Sequence, residues 1–377
     1  MVLTIISCLF FYKCLTVNTI RFFVTISVLL REILMLVLPF LIFSSIATAL
    51  SEFKRNEIPL ILLLIPVIFI SSFFHAFLSG ILGFTLLSEV KTQEIVTGTE
   101  ITPFFQLGLS NVTSMLIALV FGIVIGGYNL FYKNKYVGLA IYGIRNLVMH
   151  FMRDLFLPLL PVFIGGFFLK LFCESKIDGF IRINIFIFLR ILLILVMYYA
   201  FWLCVSANFN IKKILEISKN ICPAILTAFV TISSAIALPL TLIASEKNTK
   251  NKKLVNAITP LTLSFHLIGD TLIVPIMCMI ILLVFNHELP TSYNFILFSM
   301  LFIINQFAGA GVPNATIMVL IPALNKYWGY SDTMVAFAIA FYAIVEPIST
   351  IGNVMANNIF IILFNKIKSS SIFESEQ

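Results

Sequence analysis

From Ile221 to Ala244 the chain is apolar enough to lie in a bilayer, yet Thr231 to Thr241, read as TISSAIALPLT, carries four hydroxyl side chains and Pro239. In hydrocarbon every backbone polar group must be satisfied within the protein. Proline removes one donor and clashes one turn back. The stretch therefore predicts a helical hairpin that dips into the membrane and turns at its small hydroxyl residues, instead of a continuous span. Phe307 to Thr316, FAGAGVPNAT, repeats the pattern with Gly309, Gly311 and Pro313. Two interrupted apolar segments in one membrane chain point to a transport site lined by broken helices.

The rest of the chain agrees with a bilayer setting. It is 60% hydrophobic and 11% charged, where a soluble domain carries about 25% charge. No long polar stretch separates the apolar runs, so one integrated membrane domain is expected. The net charge of +7 reads as cytoplasmic lysines and not as a nucleic-acid surface. Six scattered cysteines without a CxxC spacing suggest neither a disulfide framework nor a metal site. Met1 to Leu15 lacks a basic start and a small-residue cleavage site, so it reads as a first span and not a signal peptide.

About twenty apolar residues span a bilayer. On that basis the spans are Val2–Leu15 (extended through Phe22–Val28), Ile33–Leu50, Ile58–Leu87, Phe104–Tyr132, Leu147–Phe172, Ile185–Val205, Leu254–Phe285 and Met334–Phe364. The broken segments fall at about Ile221–Ala244 and Phe295–Leu324. If each enters and leaves on one side, Lys54, Arg55, Lys133, Lys135, Lys212, Lys213 and the run Lys247 to Lys253 share a side with the tail. Glu89 to Glu100 lies opposite. The positive-inside rule then favours an all-α protein of eight transmembrane helices plus two re-entrant hairpins, with both termini cytoplasmic.

Four blocks also carry a family resemblance. TISSAIALPLT resembles the serine-rich first hairpin of the dicarboxylate/amino acid:cation symporters, the glutamate-transporter fold. FAGAGVPNAT resembles their second hairpin tip, ITPLTLSFHLIGDT their seventh-helix stretch, and EPISTIGNVMANN their last helix. The resemblance implies a homotrimer. Its scaffold would lie mainly in residues 1–220, with spans 3 and 6 moving with a transport core at 221–366, followed by a tail at 367–377. The core would travel like an elevator, carrying substrate between the two tips. Small-molecule substrate, lipid and sister subunits are the implied partners, in the cell inner membrane. No cofactor is implied beyond a coupling cation, H+ or Na+.

Carried over residue by residue, the resemblance sets Ser233, Ser234, Asp270, Val312, Thr316, Glu346, Thr350, Asn353 and Asn357 around substrate, with Gly311 and Pro313 in the gate. His266, Asp270, Glu346 and Asn357 are the cation or proton candidates. An ionisable residue inside a span is a functional candidate in its own right. His266 and Asp270 are four apart, hence on one face of a continuous helix. Glu346, Thr350, Asn353 and Asn357 likewise share a face.

Departures from the family pattern matter as much. Asn353 stands where the family has the arginine that holds a side-chain carboxylate, and Thr350 where it has the acid that meets a substrate ammonium group. Ile268 and Ile361 replace acids at sodium sites. Acidic amino acids and sodium coupling of the usual kind are thus disfavoured, and proton coupling is the expectation. Two rivals are a passive anion channel or uncoupled carrier, and an intramembrane hydrolase using Ser233 or Ser234 with His266 as base. No GxSxG motif supports the hydrolase.

Overall fold

The computed structural model describes residues 7–8, 10, 12–52, 58–88, 101–107, 113–173, 177–285, 287–309 and 315–370. Among them every regular element is helical. Six helices are long and apolar enough to cross a membrane, and a bent pair at 135–156 and 158–170 makes a seventh.

The first long helix, α1 (Val17–Glu52), corrects the expected boundaries. The expected spans stop at Val28 and resume at Ile33, but the helix runs without a break through Arg31 and Glu32 between them. Both are buried and both are partnered. Arg31 pairs with Asp332, and Glu32 Oε2 accepts the Leu107 N–H at 2.8 Å. Burying a charge is tolerable only when it is paired and hydrogen-bonded. The expected span Val2–Leu15 lies largely outside the described residues.

Next come α2 (Ile58–Leu87), α3 (Thr113–Tyr132) and α4 (Lys135–His150). A π-helical turn at Phe151–Phe156 leads from α4 into α5 (Leu157–Cys173) with a bend of 56°. The fifth segment therefore starts earlier than Leu147 and is not straight. Then α6 covers Ile177–Ser206. The first expected hairpin is α7 (Ile211–Thr231) and α8 (Leu238–Thr249), two helices packed on one another around the turn at 232–237. Ile232 ends α7 in the left-handed region, φ +50°, and Pro239 sits in the first turn of α8, where its missing N–H costs nothing.

The expected seventh span is two helices, α9 (Lys252–Phe265) and α10 (Ile268–Val284), broken at His266–Leu267. The second broken segment gives α11 (Ser292–Gly309) and α12 (Ala315–Trp328), also packed together. The tip residues Gly311, Val312 and Pro313 lie outside the described residues. The chain ends its described part in α13 (Asp332–Ser370).

Two packing groups result. In one, α1 packs against α3, α4 and α5. In the other, α10 packs against α2 and α13, with α7, α8 and α9 gathered on α13, and the two groups meet where α11 and α12 lie on α1 and α13 lies on α5. All seventeen residues of α10 are buried, so it is the axis of the second group. In the first group, α5 meets α1 so closely that a Cβ on Gly166 would collide with the Phe23 backbone and Ser27 Oγ. Gly166→Ala should therefore destabilise the fold by about 1–3 kcal/mol, the usual cost of overpacking. A lower midpoint in detergent thermal unfolding checks this, and an unchanged midpoint would mean the helices do not approach so closely.

Candidate functional site

The break at His266–Leu267 exposes the start of α10, whose first N–H groups have no partner within the helix. Leu267, at the N-cap, offers no side-chain acceptor. The deficit is met from α13. Asn353 Oδ1 accepts the Gly269 N–H at 2.8 Å and the Asp270 N–H at 3.3 Å. Such proximity needs glycine at 269, since a Cβ there would collide with the Ser349 carbonyl.

The same amide then turns to the acid. Asn353 Nδ2 donates to Asp270 Oδ2 at 3.0 Å. Tyr342 and Ser349 donate to Oδ1 at 2.7 and 2.6 Å, and Thr316 reaches Oδ2 at 3.4 Å. Asp270 is 3% exposed, yet about four lone-pair sites are what a carboxylate offers, and all are used by neutral donors. It also sits in the first turn of α10, where the helix dipole favours negative charge.

The second hairpin reaches this site through both arms. Thr316 opens α12 and touches the acid. From α11, Gln306 Nε2 donates to Thr271 Oγ1 at 2.9 Å and to the Leu267 carbonyl at 3.4 Å. The first hairpin approaches from the other side: Ala237 of its turn packs with Leu263 and Val354. There Ser233 Oγ accepts the Ile236 N–H at 3.3 Å and caps the turn. Ser234 is half-buried in the same turn.

Asp270, Thr316 and Asn353 are thus in contact. Asn357 stands one turn on, donating through Nδ2 to the Asn353 carbonyl at 2.8 Å and the His266 carbonyl at 3.3 Å. Glu346 is buried, and its carbonyl accepts the Thr350 hydroxyl at 2.7 Å. His266 departs from expectation. It closes α9 while Asp270 belongs to α10, and the unwound link between them cancels the four-residue spacing. Its ring lies on Phe360, with Nε2 at 2.9 Å from Ser71 Oγ.

His266 instead borders a mostly apolar cavity of about 320 Å³, with Ser71, His75, Tyr198, Tyr199 and Phe360 among its lining. Sequence reasoning missed His75, an ionisable residue inside α2 that hydrogen-bonds Tyr198. It missed Tyr342 and Ser349 too. The residues 342, 346, 349 and 353 repeat the four-three-four spacing of the chosen face, one step round the helix.

In comparison with known proteins, the model of the sodium:dicarboxylate symporter family matches residues 1–367. No curated protein matches the chain.

Asn353→Ala should leave two N–H groups at the head of α10 without their acceptor and take one donor from Asp270. Each buried group left unsatisfied costs about 1–3 kcal/mol, so a fall in unfolding midpoint larger than that of Thr85→Ala, on an exposed hydroxyl, is expected. Equal midpoints for the two variants would show that the amide does not hold the break.

Proposed function

The chain belongs to the sodium:dicarboxylate symporter family and is a multi-pass membrane transporter, not an enzyme, and from that premise we propose that it carries a small carboxylate or amino acid across the cell inner membrane by cation-coupled symport. The observation that carries this reading is Asp270. One buried carboxylate is gripped at once by the capped start of α10, by α13 and by the second hairpin.

The hairpins are tied down differently, and that supports a gate. The second arm of the first hairpin is fastened to α13 by Ser245 to Asn358 Oδ1 at 2.9 Å, and by Asn365 to the Thr249 carbonyl at 3.4 Å. Hydrogen bonds of the second hairpin converge on Asp270, Thr271 and Leu267, so releasing it opens the site itself. We assign Thr316 with the tip Gly311, Val312 and Pro313 to this gate. Ser233, Ser234, Glu346, Thr350, Asn353 and Asn357 are assigned to the rest of the substrate site.

The proposed motion is an elevator. Residues 221–366, with α2 and α6, move against α1, α3, α4 and α5, in a homotrimer with both termini cytoplasmic. Under this division the surface to be exchanged is that of α11 and α12 on α1 and of α13 on α5. The Arg31–Asp332 ion pair would be one of the contacts exchanged.

Protons are proposed over sodium as the coupling ion, taken up by Asp270 or Glu346, with Asn357 one turn away on α13 and His266 set apart in the neighbouring cavity. Ile361 supports the loss of a sodium site, because it is fully buried among Leu64 and Ile68. The same residue favours a second reading, an uncoupled carrier. In sodium-free liposomes, counterflow is expected, and net substrate uptake into unloaded liposomes should alkalinise the outer medium. Counterflow together with net uptake that leaves the pH unchanged would replace coupling by the uncoupled carrier, and conductance without counterflow would replace both by a channel.

A further inference from the structure

We infer that the substrate presents an ammonium group to Asp270, so that an amine-bearing molecule such as an amino acid is carried and its amine-free carboxylate counterpart is not. This rests on the reading of the site as a transport site and names the class of molecule it takes.

The charge balance comes first. Asp270 is buried, its four partners are Tyr342, Ser349, Asn353 and Thr316, and no lysine, arginine or histidine is among the groups that act on it. Glu346, also buried, lies close enough for Tyr342 to stand in the field of both acids. A substrate carboxylate set against Asp270 would add like charge at contact distance in a poorly screened place. That weakens binding by roughly a thousandfold. An ammonium group reverses the sign.

Geometry points to the same chemistry. Three of the four contacts to Asp270 come from α13, which packs along α10. The fourth, from Thr316 on the second hairpin, is the longest at 3.4 Å. When that hairpin lifts, Oδ2 loses one hydrogen-bond donor and nothing else. The group that replaces it must donate one hydrogen bond and carry positive charge, which an ammonium N–H does. A metal ion would need several open oxygens. Asp270 has one to give, and no cluster of three His, Cys, Asp or Glu occurs among the described residues.

A second acceptor waits nearby. The Tyr199 hydroxyl is buried without a partner, lies against Gly352 where α13 meets Gly269 of α10, and feels the charge of Asp270. A buried hydroxyl without a partner is rare. An ammonium group has three donors, enough to serve Asp270 and Tyr199 together.

Thermal unfolding of the purified full chain tests this with matched pairs: alanine against propionate, aspartate against succinate, lysine against hexanoate, each with and without sodium. Binding to the folded state alone raises the midpoint by mass action. Stabilisation by the amine-bearing member of at least one pair is expected, with its counterpart silent and the shift lost in Asp270→Asn. The affinity loss in that variant should be roughly a hundredfold or more. If Asp270→Asn does not fold, Tyr199→Phe gives the second reading and should weaken the amine alone.

Equal shifts from both members of a pair would overturn the inference and leave the transporter standing. So would shifts from the amine-free acids alone, or from sodium alone. No shift with any pair overturns the inference too. Counterflow of the same labelled compounds in liposomes then decides whether the transporter reading falls with it.

Discussion

Everything at the centre of this protein depends on one carboxamide. A helix that starts inside a membrane domain exposes N–H groups to a medium that cannot hydrate them, and each one left bare costs about as much as a lost hydrogen bond. Asn353 removes that cost for α10 by accepting from Gly269 and Asp270 with its oxygen. Because backbone N–H groups can meet only an acceptor, the amide orientation is fixed, and its NH2 must point at the Asp270 carboxylate. Helix capping and the holding of the acid are therefore one act. Gly269, with the Ser349 carbonyl against it, is the steric condition for both.

From that point the division of labour between the hairpins follows. The first is stapled to α13 at several levels by side-chain amides and hydroxyls far from the acid. The second is held by α11–α12 packing, by α11 on α1 and α2, and by polar contacts that lie within a few residues of Asp270. On the proposed gate, a ligand that competes for those polar contacts would shift the hairpin's equilibrium directly, because it would bind one arrangement better than the other.

The turn between α7 and α8 was legible because its signal is covalent: Pro239 acts on its own backbone. Asp270 was legible because charge in an apolar run is costly wherever it lies. What the sequence concealed depended on partners distant in the chain. Arg31 and Glu32 read as a break until Asp332 and the Leu107 N–H are brought to them. The break at His266 carries no proline or glycine of its own at 266 or 267 and depends on an asparagine more than eighty positions away, as the 84-residue separation of its first hydrogen bond records. The working face of α13 was found one step out of register. Periodicity places residues on a common face, but which of two overlapping faces looks inward is decided by packing.

The residues at 270 and 353 have to be read as a pair. Arginine, which the symporter pattern has at 353, offers five donors and no acceptor. It could neutralise an acid at 270 but could not cap α10. Asparagine can cap the helix and donate to the acid, yet it brings no charge, so the carboxylate stays uncompensated within the protein. A base at 353 with a neutral residue at 270 suits a site that receives negative charge, and an amide at 353 with an acid at 270 suits one that receives positive charge. Restoring the arginine alone would give up the cap and leave the N–H groups of Gly269 and Asp270 without an acceptor. Removing the acid alone would leave Tyr342, Ser349 and Asn353 directed at nothing. On the proposed reading, this combination leaves the acid to be met by positive charge from outside the chain, a proton or the ammonium group of a substrate.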